Sequence, residues 1–228
     1  MLDELLHLMY PRVCAGCHTL LAPGEKDICA HCTVSFDAFP NAEAADCAVK
    51  EILRRNHPET CAPRYAWSVY RFHKKDSLQR VVHAMKYQGV RRLGAFFGSR
   101  LSEIIAGSGI EENFSCIVPV PLHRLKFVER TYNQSEVIAR SLAAALEKDV
   151  RTDLVIRRKY TRSQAGLSQK ERQSNVSGAF MSYPDIVSGH ILLVDDILTT
   201  GSTVSAVIQA LEEAGAKSVS VAVAALAA

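Results

Sequence analysis

The chain has 228 residues, 48% hydrophobic and 22% charged, with a net charge of +3, which is typical of one globular domain or one domain plus a small module. No apolar run approaches the roughly 20 residues that a membrane-spanning helix needs, so we expect no membrane insertion. Asp3 and Glu4 lie where a secretory signal peptide carries positive charge. We therefore expect a cytoplasmic protein whose cysteines are reduced or bound to metal.

Two Cys-x-x-Cys pairs mark the N-terminal region, separated by 11 residues: Cys14 with Cys17, and Cys29 with Cys32. Two such pairs give the tetrahedral four-sulfur arrangement of a structural zinc ion. They predict a zinc-ribbon-like module over residues 1–36 that Zn²⁺ folds. A redox-active thiol pair is an alternative. The haem-attachment pattern completed by His18 leaves the second pair unexplained.

A polar, alanine-rich segment over residues 37–62 predicts a connector with a helix at 43–55. Over residues 63–228 the pattern alternates between strands and helices. The predicted strands are 64–72, 114–121, 152–158, 178–182, 189–196 and 217–226; the predicted helices are 77–87, 91–107, 133–149 and 203–216, with a short piece at 170–176. This alternation predicts an α/β domain with a mostly parallel sheet and flanking helices.

Two basic stretches lie in the larger domain. Residues 1–60 hold 5 Lys/Arg and 9 Asp/Glu, net −4, so residues 61–228 carry +7. The excess is concentrated in residues 71–92, where seven basic side chains face the single acid Asp76, and in residues 151–172, where seven face two acids. Such runs are typical of a solvated face. Beside a phosphate site they also suit a surface that binds phosphates.

The stretch ILLVDDILTTGST, residues 191–203, runs from an apolar strand into two carboxylates and then into small hydroxyl residues. Ligands bind at the carboxyl ends of parallel strands, where Asp195 and Asp196 are predicted. Gly201 permits a positive φ, and the backbone N–H groups of the loop and the next helix can surround a phosphate. Carboxylates only accept hydrogen bonds, so paired ribose hydroxyls are their natural partners. The stretch predicts a ribose 5-phosphate site.

Other interpretations explain less of this stretch. A Walker P-loop needs GxxxxGK[ST], which the sequence lacks. A phospho-acceptor acidic pair also follows a strand, but it does not account for the threonines and serine that come next. An ordinary polar loop between a strand and a helix is the remaining alternative.

Several motifs together resemble a known family. ILLVDDILTTGST resembles the signature by which type I phosphoribosyltransferases bind 5-phosphoribosyl 1-pyrophosphate (PRPP). With PVPLHR, ERTYNQSE, KYTRSQAGLSQKERQSNVSGAF and the double Cys-x-x-Cys, it resembles the ComF family, competence-associated proteins linked to natural DNA uptake. The resemblance covers nearly the whole chain. It implies a type I phosphoribosyltransferase-like fold with the zinc-ribbon-like module in front.

The resemblance also implies roles for individual residues. Asp195 and Asp196 would contact the PRPP ribose, and Arg124 with Lys126 would stabilise the departing pyrophosphate. The 5′-phosphate would be bound by Thr199, Thr200, Gly201, Ser202 and Thr203. The remaining PRPP-binding residues would be Lys86, Arg130, Asn133, Gln134, Arg162 and Arg172. The family glycine after Arg130 is Thr131 here, which predicts a strained β-branched residue if the position needs a positive φ.

These side chains also have simpler structural interpretations. Arg130 and Arg172 suit surface ion pairs, Asn133 suits a helix cap, and His123 suits a solvated loop.

Two functions follow from the resemblance. The first is a Mg²⁺-dependent transferase that moves the phosphoribosyl group of PRPP to a nitrogen nucleophile. The second is a competence factor that binds single-stranded DNA through the basic stretches and exposed aromatics such as Tyr87 and Tyr160, and that retains a phosphate or PRPP pocket. The competence helicase machinery is a candidate partner of either.

Overall fold

The computed structural model of the protein describes residues 11–110, 113–158, 178–182 and 189–227. The predicted helical piece at 170–176 and the predicted site residues Arg162 and Arg172 lie outside the described residues.

The centre of the fold is a parallel sheet, as predicted. Its strands are β1 (Ala66–Phe72), β2 (Cys116–Pro119), β5 (His190–Leu198) and β6 (Ser218–Ala227), in the order β1-β6-β5-β2. Two short strands, β3 (Val155–Arg157) and β4 (Phe180–Ser182), pair antiparallel as a separate ribbon. Parallel neighbours need helical crossovers, which explains why helices cover both faces of the sheet.

The described residues form helices α1 (Ala30–Ser35), α2 (Ala42–Asn56), α3 (Ser77–Tyr87), α4 (Arg92–Gly107), α5 (Arg124–Arg130), α6 (Gln134–Leu146) and α7 (Ser202–Glu213). One apolar core joins α3, α4 and α6 to one face of the sheet, and a second joins α2 and α7 to the other. Alternate residues of β5 serve the two cores: Leu192 and Val194 face the first, Ile191 and Leu193 the second.

The ends of the edge strand β2 and of its neighbour β5 differ from the sequence-based prediction, and the difference opens the site. β2 ends at Pro119, opposite Val194 of β5, because the segment continues with alternating prolines that break the ladder. β5 runs to Leu198, two residues past its predicted end, because it remains paired with Leu226 of β6. The last residues of β5 therefore border an open space beyond β2.

Helix α5 was not predicted, because the sequence analysis treated this segment as a loop. The side chain of His123 caps its first turn by accepting a hydrogen bond from the Leu125 N–H at 3.2 Å. Thr131 ends the helix in the left-handed conformation, with φ of 66° and ψ of −9°. The positive φ is the condition under which the sequence predicts strain, because a β-branched residue such as threonine is strained in this conformation.

The cysteine region packs on the larger domain rather than standing apart from it. Cys14, Cys29 and Cys32 are buried and belong to the apolar core that contains α3 and α4. Arg92 at the start of α4 forms a two-pronged ion pair with Asp27, at 2.8 and 3.1 Å.

Within the described ranges, no helix combines the length and the apolar character that crossing a membrane requires.

The strain at Thr131 gives the first prediction. Thr131→Gly should raise the free energy of unfolding by about 1 kcal/mol, because glycine adopts a positive φ without a Cβ penalty. Urea denaturation measures this change. The control is Ser108→Gly, at the end of α4, where φ is −73° and the serine hydroxyl donates to Ile105 O. It should bring no gain, and equal gains in both variants would contradict the assignment of strain to Thr131.

Candidate functional site

A cavity of about 410 Å³ lies at the carboxyl edge of the sheet, beside the last residues of β5. Its walls come from β5, from the segment that follows β2, from α3, α5 and α6, and from Arg157 of β3. The lining residues used below are Lys86, Tyr87, Lys126, Arg130, Asn133, Gln134, Ser135, Arg157, Asp195, Asp196, Thr199 and Thr203. The structure thus brings together predicted site residues from four separate segments.

Asp195 lies within β5, at the wall of the cavity. Its carboxylate accepts hydrogen bonds from Ser135 Oγ at 2.8 Å and from the Asp196 N–H at 2.9 Å. Burial, with a smaller contribution from the charge of Asp196, raises the pKa of Asp195 to about 7. Near neutral pH this carboxyl can therefore exchange a proton.

Asp196 is the neighbouring acid, and its residue is 8% exposed. Its Oδ2 lies 2.8 Å from Lys86 Nζ, in an ion pair whose side chains are both mostly buried. Successive strand residues point to opposite faces, so the two acids use different partners. Both still line the cavity, because it lies across the open end of the sheet. A ligand bound there can reach both carboxylates.

The hydroxyl-rich loop forms a smaller cup next to this cavity. A space of about 30 Å³ is lined by Asp195, Ile197, Leu198, Thr199, Thr200, Gly201, Ser202, Thr203 and Val204. Gly201 has φ of 78° and precedes α7, whose first N–H groups have no partner within the helix. Ser202 is 5% exposed and its hydroxyl lies 2.9 Å from that of Thr200. Backbone donors and the helix dipole make this cup suitable for a phosphate.

Four cations of the described chain line the larger cavity: Lys86, Lys126, Arg130 and Arg157. Burial and the charge of Arg157 lower the pKa of Lys126, and Arg130 and Lys86 act in the same direction. Burial likewise lowers the pKa of Arg157. Cations that lower one another's pKa values repel one another, and a bound anion of high charge offsets this repulsion. The cavity therefore combines an acid pair with a polycationic wall.

Arg130 is held at the mouth of the cavity by two neighbours. Its guanidinium donates to Gln134 Oε1 at 3.2 Å, and its carbon lies 5.2 Å from the centre of the Tyr87 ring. Asn133 caps α6 by accepting from the Ser135 N–H, so its predicted capping role is confirmed, and it lines the cavity as well.

Arg124 does not lie in the cavity wall. It is the first residue of α5 and is exposed, whereas Lys126, two residues further on, lines the cavity. Two residues on an α-helix are roughly 200° apart, so the two side chains point in different directions. The sequence pattern does not reveal this, because nothing in it indicates α5. Ser135 is another site residue that the pattern does not reveal. Its partner, Asp195, lies 60 positions away in the sequence.

The four N-terminal cysteines form the second candidate site. Their sulfur atoms all lie within 4.8 Å of one another. A tetrahedral zinc site with Zn–S bonds of about 2.3 Å separates its sulfurs by about 3.8 Å, so the cluster needs little adjustment to hold one metal ion. Backbone N–H groups of Gly16 and Cys29 donate to Cys14 Sγ at 3.3 Å, as suits a thiolate ligand. The remaining cysteines, Cys47, Cys61 and Cys116, lie outside the cluster.

Comparison with known families defines the class of protein first. Residues 133–228 match the phosphoribosyl transferase domain model. The parallel sheet, its flanking helices and the loop after β5 belong to the same type I phosphoribosyltransferase-like fold that the sequence predicts. Among solved structures, adenine phosphoribosyltransferase from Leishmania tarentolae is 14% identical, with a TM-score of 0.37, and the match covers 78% of this chain and 87% of that one.

Curated relatives add a second similarity. Competence protein F of Haemophilus influenzae is 25% identical over 91% of this chain and 94% of its own length. Competence protein ComFC of Streptococcus pneumoniae is 26% identical over 88% of each chain. DNA utilization protein YhgH of Escherichia coli is 35% identical over 46% of each. Together with the phosphoribosyl transferase domain, these similarities support the resemblance to the ComF family.

The cysteine cluster gives the second prediction. The purified protein should contain about one zinc ion per chain, and Cys29→Ser should lose it, because three sulfurs and a hydroxyl bind Zn²⁺ more weakly than four thiolates. Cys47→Ser is the matched control, since Cys47 is exposed and outside the cluster. Elemental analysis decides the outcome: a folded protein without zinc, or equal loss in both variants, would contradict the assignment.

The raised pKa of Asp195 gives the third prediction. A carboxyl with a higher pKa in the folded than in the unfolded chain holds a proton more tightly when folded, so its contribution to stability declines as pH rises from about 4 to about 7. Asp195→Asn removes the titrating carboxyl and therefore removes this decline in stability. At pH 8 the variant should be more stable than the wild type by about 1–3 kcal/mol, and the difference should shrink at pH 5.

Asp153→Asn is the control, because the hydrogen bond from Arg151 lowers the pKa of Asp153 and the sign reverses. That variant should not gain stability at pH 8. Denaturation at the two pH values tests both variants, and a pH-independent effect of Asp195→Asn would refute the buried-acid interpretation.

Proposed function

We propose that the cavity and the cup together bind PRPP. The observation that carries this proposal is that two adjoining spaces combine a cup of backbone donors and hydroxyls, an acid pair and four cations. PRPP has three parts to match: a 5′-phosphate, a ribose with paired hydroxyls, and a pyrophosphate. Asp195 lines both the cup and the larger cavity, so the acid pair joins the cup to the cavity that the cations line, as the ribose joins the two phosphate groups of PRPP.

Different residues would bind the three parts of PRPP. The loop over residues 199–203 binds the 5′-phosphate through backbone N–H groups and hydroxyls. Asp195 and Asp196 accept hydrogen bonds from ribose hydroxyls, at about 1.5–3 kcal/mol for each charged hydrogen bond. Lys86 pairs with Asp196 at 2.8 Å in the ligand-free protein and also lines the cavity, so it can contact the pyrophosphate as well.

In a transfer reaction the bond between ribose C1 and the pyrophosphate oxygen breaks, and its electron pair leaves with the pyrophosphate. A nitrogen nucleophile forms the new bond to C1 with its lone pair. Lys126, Arg130 and Arg157 are placed to stabilise the charge that develops on the leaving group. The proton that the nucleophile loses can pass to Asp195, whose pKa of about 7 suits a general base.

Mg²⁺ is the metal that phosphoribosyltransferases usually use, and the oxygen-rich acid pair fits its ligand preference. When bound, it would neutralise pyrophosphate charge, held by ligand and water oxygens beside Asp195 and Asp196.

The biological setting comes from the relatives. Proteins named for competence and DNA utilization match the chain. We propose that the PRPP site serves DNA uptake, either through transfer to an acceptor on that pathway or as a sensor of PRPP.

The fourth prediction separates the parts of the site. Thr200→Val should weaken the binding of inorganic phosphate, ribose 5-phosphate and PRPP by about tenfold, because it removes a hydroxyl from the cup. Asp195→Asn should weaken ribose 5-phosphate and PRPP but spare inorganic phosphate. Thr152→Val, at an exposed threonine outside the site, is the control. Isothermal titration measures all three ligands, and equal losses in the two site variants would show that the roles are wrong.

Binding of single-stranded DNA is the second candidate function, and one observation favours it. Tyr87 is 58% exposed at the mouth of the cavity, and Arg130 lies against its ring. An exposed aromatic ring beside a cation is the arrangement on which unpaired bases stack. Several other basic side chains are already paired, including Arg71 with Asp37 and Arg151 with Asp153. The DNA path should therefore pass Tyr87 and the cavity mouth.

The fifth prediction tests that path. Tyr87→Ala should weaken oligonucleotide binding by about 1–3 kcal/mol for each stacked base, whereas Tyr87→Phe keeps the ring and should retain binding. Affinity should also fall steeply with salt, as counterions are released. Fluorescence anisotropy at two salt concentrations measures both effects. Undetectable or salt-independent binding would leave the PRPP site as the single proposed function.

A further inference from the structure

The C-terminal end of α2 contacts the phosphate cup from behind. Asn56 Nδ2 and His57 Nε2 each lie 3.1 Å from the carbonyl oxygen of Thr200. A carbonyl oxygen only accepts, so both side chains donate to it and His57 carries a proton on Nε2. His57 is 4% exposed, so this contact is sheltered from water. We call Asn56 and His57 the brace.

The brace fixes the orientation of one peptide group of the cup. The peptide between Thr200 and Gly201 is trans, and in a planar trans peptide the N–H points away from the C=O. The Thr200 carbonyl faces α2. The Gly201 N–H must therefore point away from α2, and Gly201 is one of the residues that line the cup.

This peptide needs such a restraint because a glycine follows it. Gly201 has no Cβ and has φ of 78°, so rotation of the peptide meets little steric resistance from its own residue. A rotated peptide would present the Thr200 carbonyl oxygen to the ligand, and this oxygen repels an anion. Leu53 of α2 closes the space behind the glycine: its Cδ2 lies 2.6 Å from where a Cβ at position 201 would be.

We propose that Asn56 and His57 are positioning residues of the cup, which hold the Thr200–Gly201 peptide so that the Gly201 N–H faces a bound phosphate. The identity of that ligand rests on the proposed function, whereas the orientation of the peptide is a property of the ligand-free protein. Residues 37–62, predicted as a connector, thereby supply part of the site. The contact also explains why the loop needs no lysine: its backbone donors are oriented before the ligand binds.

Binding measurements test the proposal with a matched pair of variants. Asn56→Ala/His57→Phe removes both donors and keeps a ring at position 57, whereas His57→Gln keeps an N–H near the position of Nε2. The double variant should bind ribose 5-phosphate about 10- to 30-fold more weakly, and His57→Gln should stay within about threefold of the wild type. Pyrophosphate, which is expected at the cationic wall, is the internal control and should bind equally to all three proteins. Unchanged ribose 5-phosphate affinity, or equal losses for both ligands, would overturn the proposal.

A crystal structure of the ligand-free double variant tests the orientation without any ligand. The Thr200–Gly201 peptide should be rotated or should occupy two orientations, while His57→Gln should keep the wild-type orientation. A single unchanged orientation in the double variant would refute the brace. If the wild type bound no ribose 5-phosphate, the proposed function would fail, and this structure would still decide whether the brace acts.

Discussion

The structure depends on how two adjacent carboxylates are accommodated at the end of a buried strand. Asp195 and Asp196 follow four fully apolar residues of β5, so each must find a partner at the edge of the sheet. Asp196 does so through Lys86, and Asp195 through Ser135, while burial and mutual repulsion raise the pKa of Asp195 to about 7. Such an arrangement costs stability in the free protein, which is typical of a site built to bind a ligand.

The rest of the site follows from that constraint. The early end of β2 at Pro119 leaves the acid pair open on one side, and the helices around the opening contribute the cations. On the other side the chain forms the phosphate cup. Asn56 and His57, at the end of α2, hold the backbone of this cup through the Thr200 carbonyl. Acceptors, cations and N–H groups therefore line adjoining parts of one site. This arrangement explains how a site can bind a ligand that presents both hydroxyls and phosphates.

The sequence predicts the periodic parts of this molecule well. The parallel sheet, a helix at 43–55 and the cysteine cluster are predicted from the sequence pattern and motif chemistry. The structure contains all three, with the helix over 42–56. Helix α5 escaped prediction because its apolar side chains, such as Val128, are exposed and give no amphipathic pattern. Both Arg124 and Lys126 were therefore expected at the pyrophosphate, whereas Lys126 lines the cavity and Arg124 does not.

Long-range contacts were the other part that sequence patterns could not reveal. The contact of Ser135 with Asp195 spans 60 positions, and that of His57 with Thr200 spans 143. Ser135 lies in the ERTYNQSE motif, but that motif does not point to Asp195 as its partner, and His57 belongs to none of the motifs. At Thr131 the sequence showed a departure from the resembled pattern, but the conformation that makes threonine strained there, with φ of 66°, comes from the structure.

The most direct test of this account is a competition titration with Mg²⁺ present, in which ribose 5-phosphate is added to protein saturated with pyrophosphate. If the cup and the cationic wall are separate halves of one PRPP site, ribose 5-phosphate should bind without displacing pyrophosphate, and PRPP should bind more tightly than either and displace both. Mutual displacement of ribose 5-phosphate and pyrophosphate would show a single shared anion site and would contradict the account.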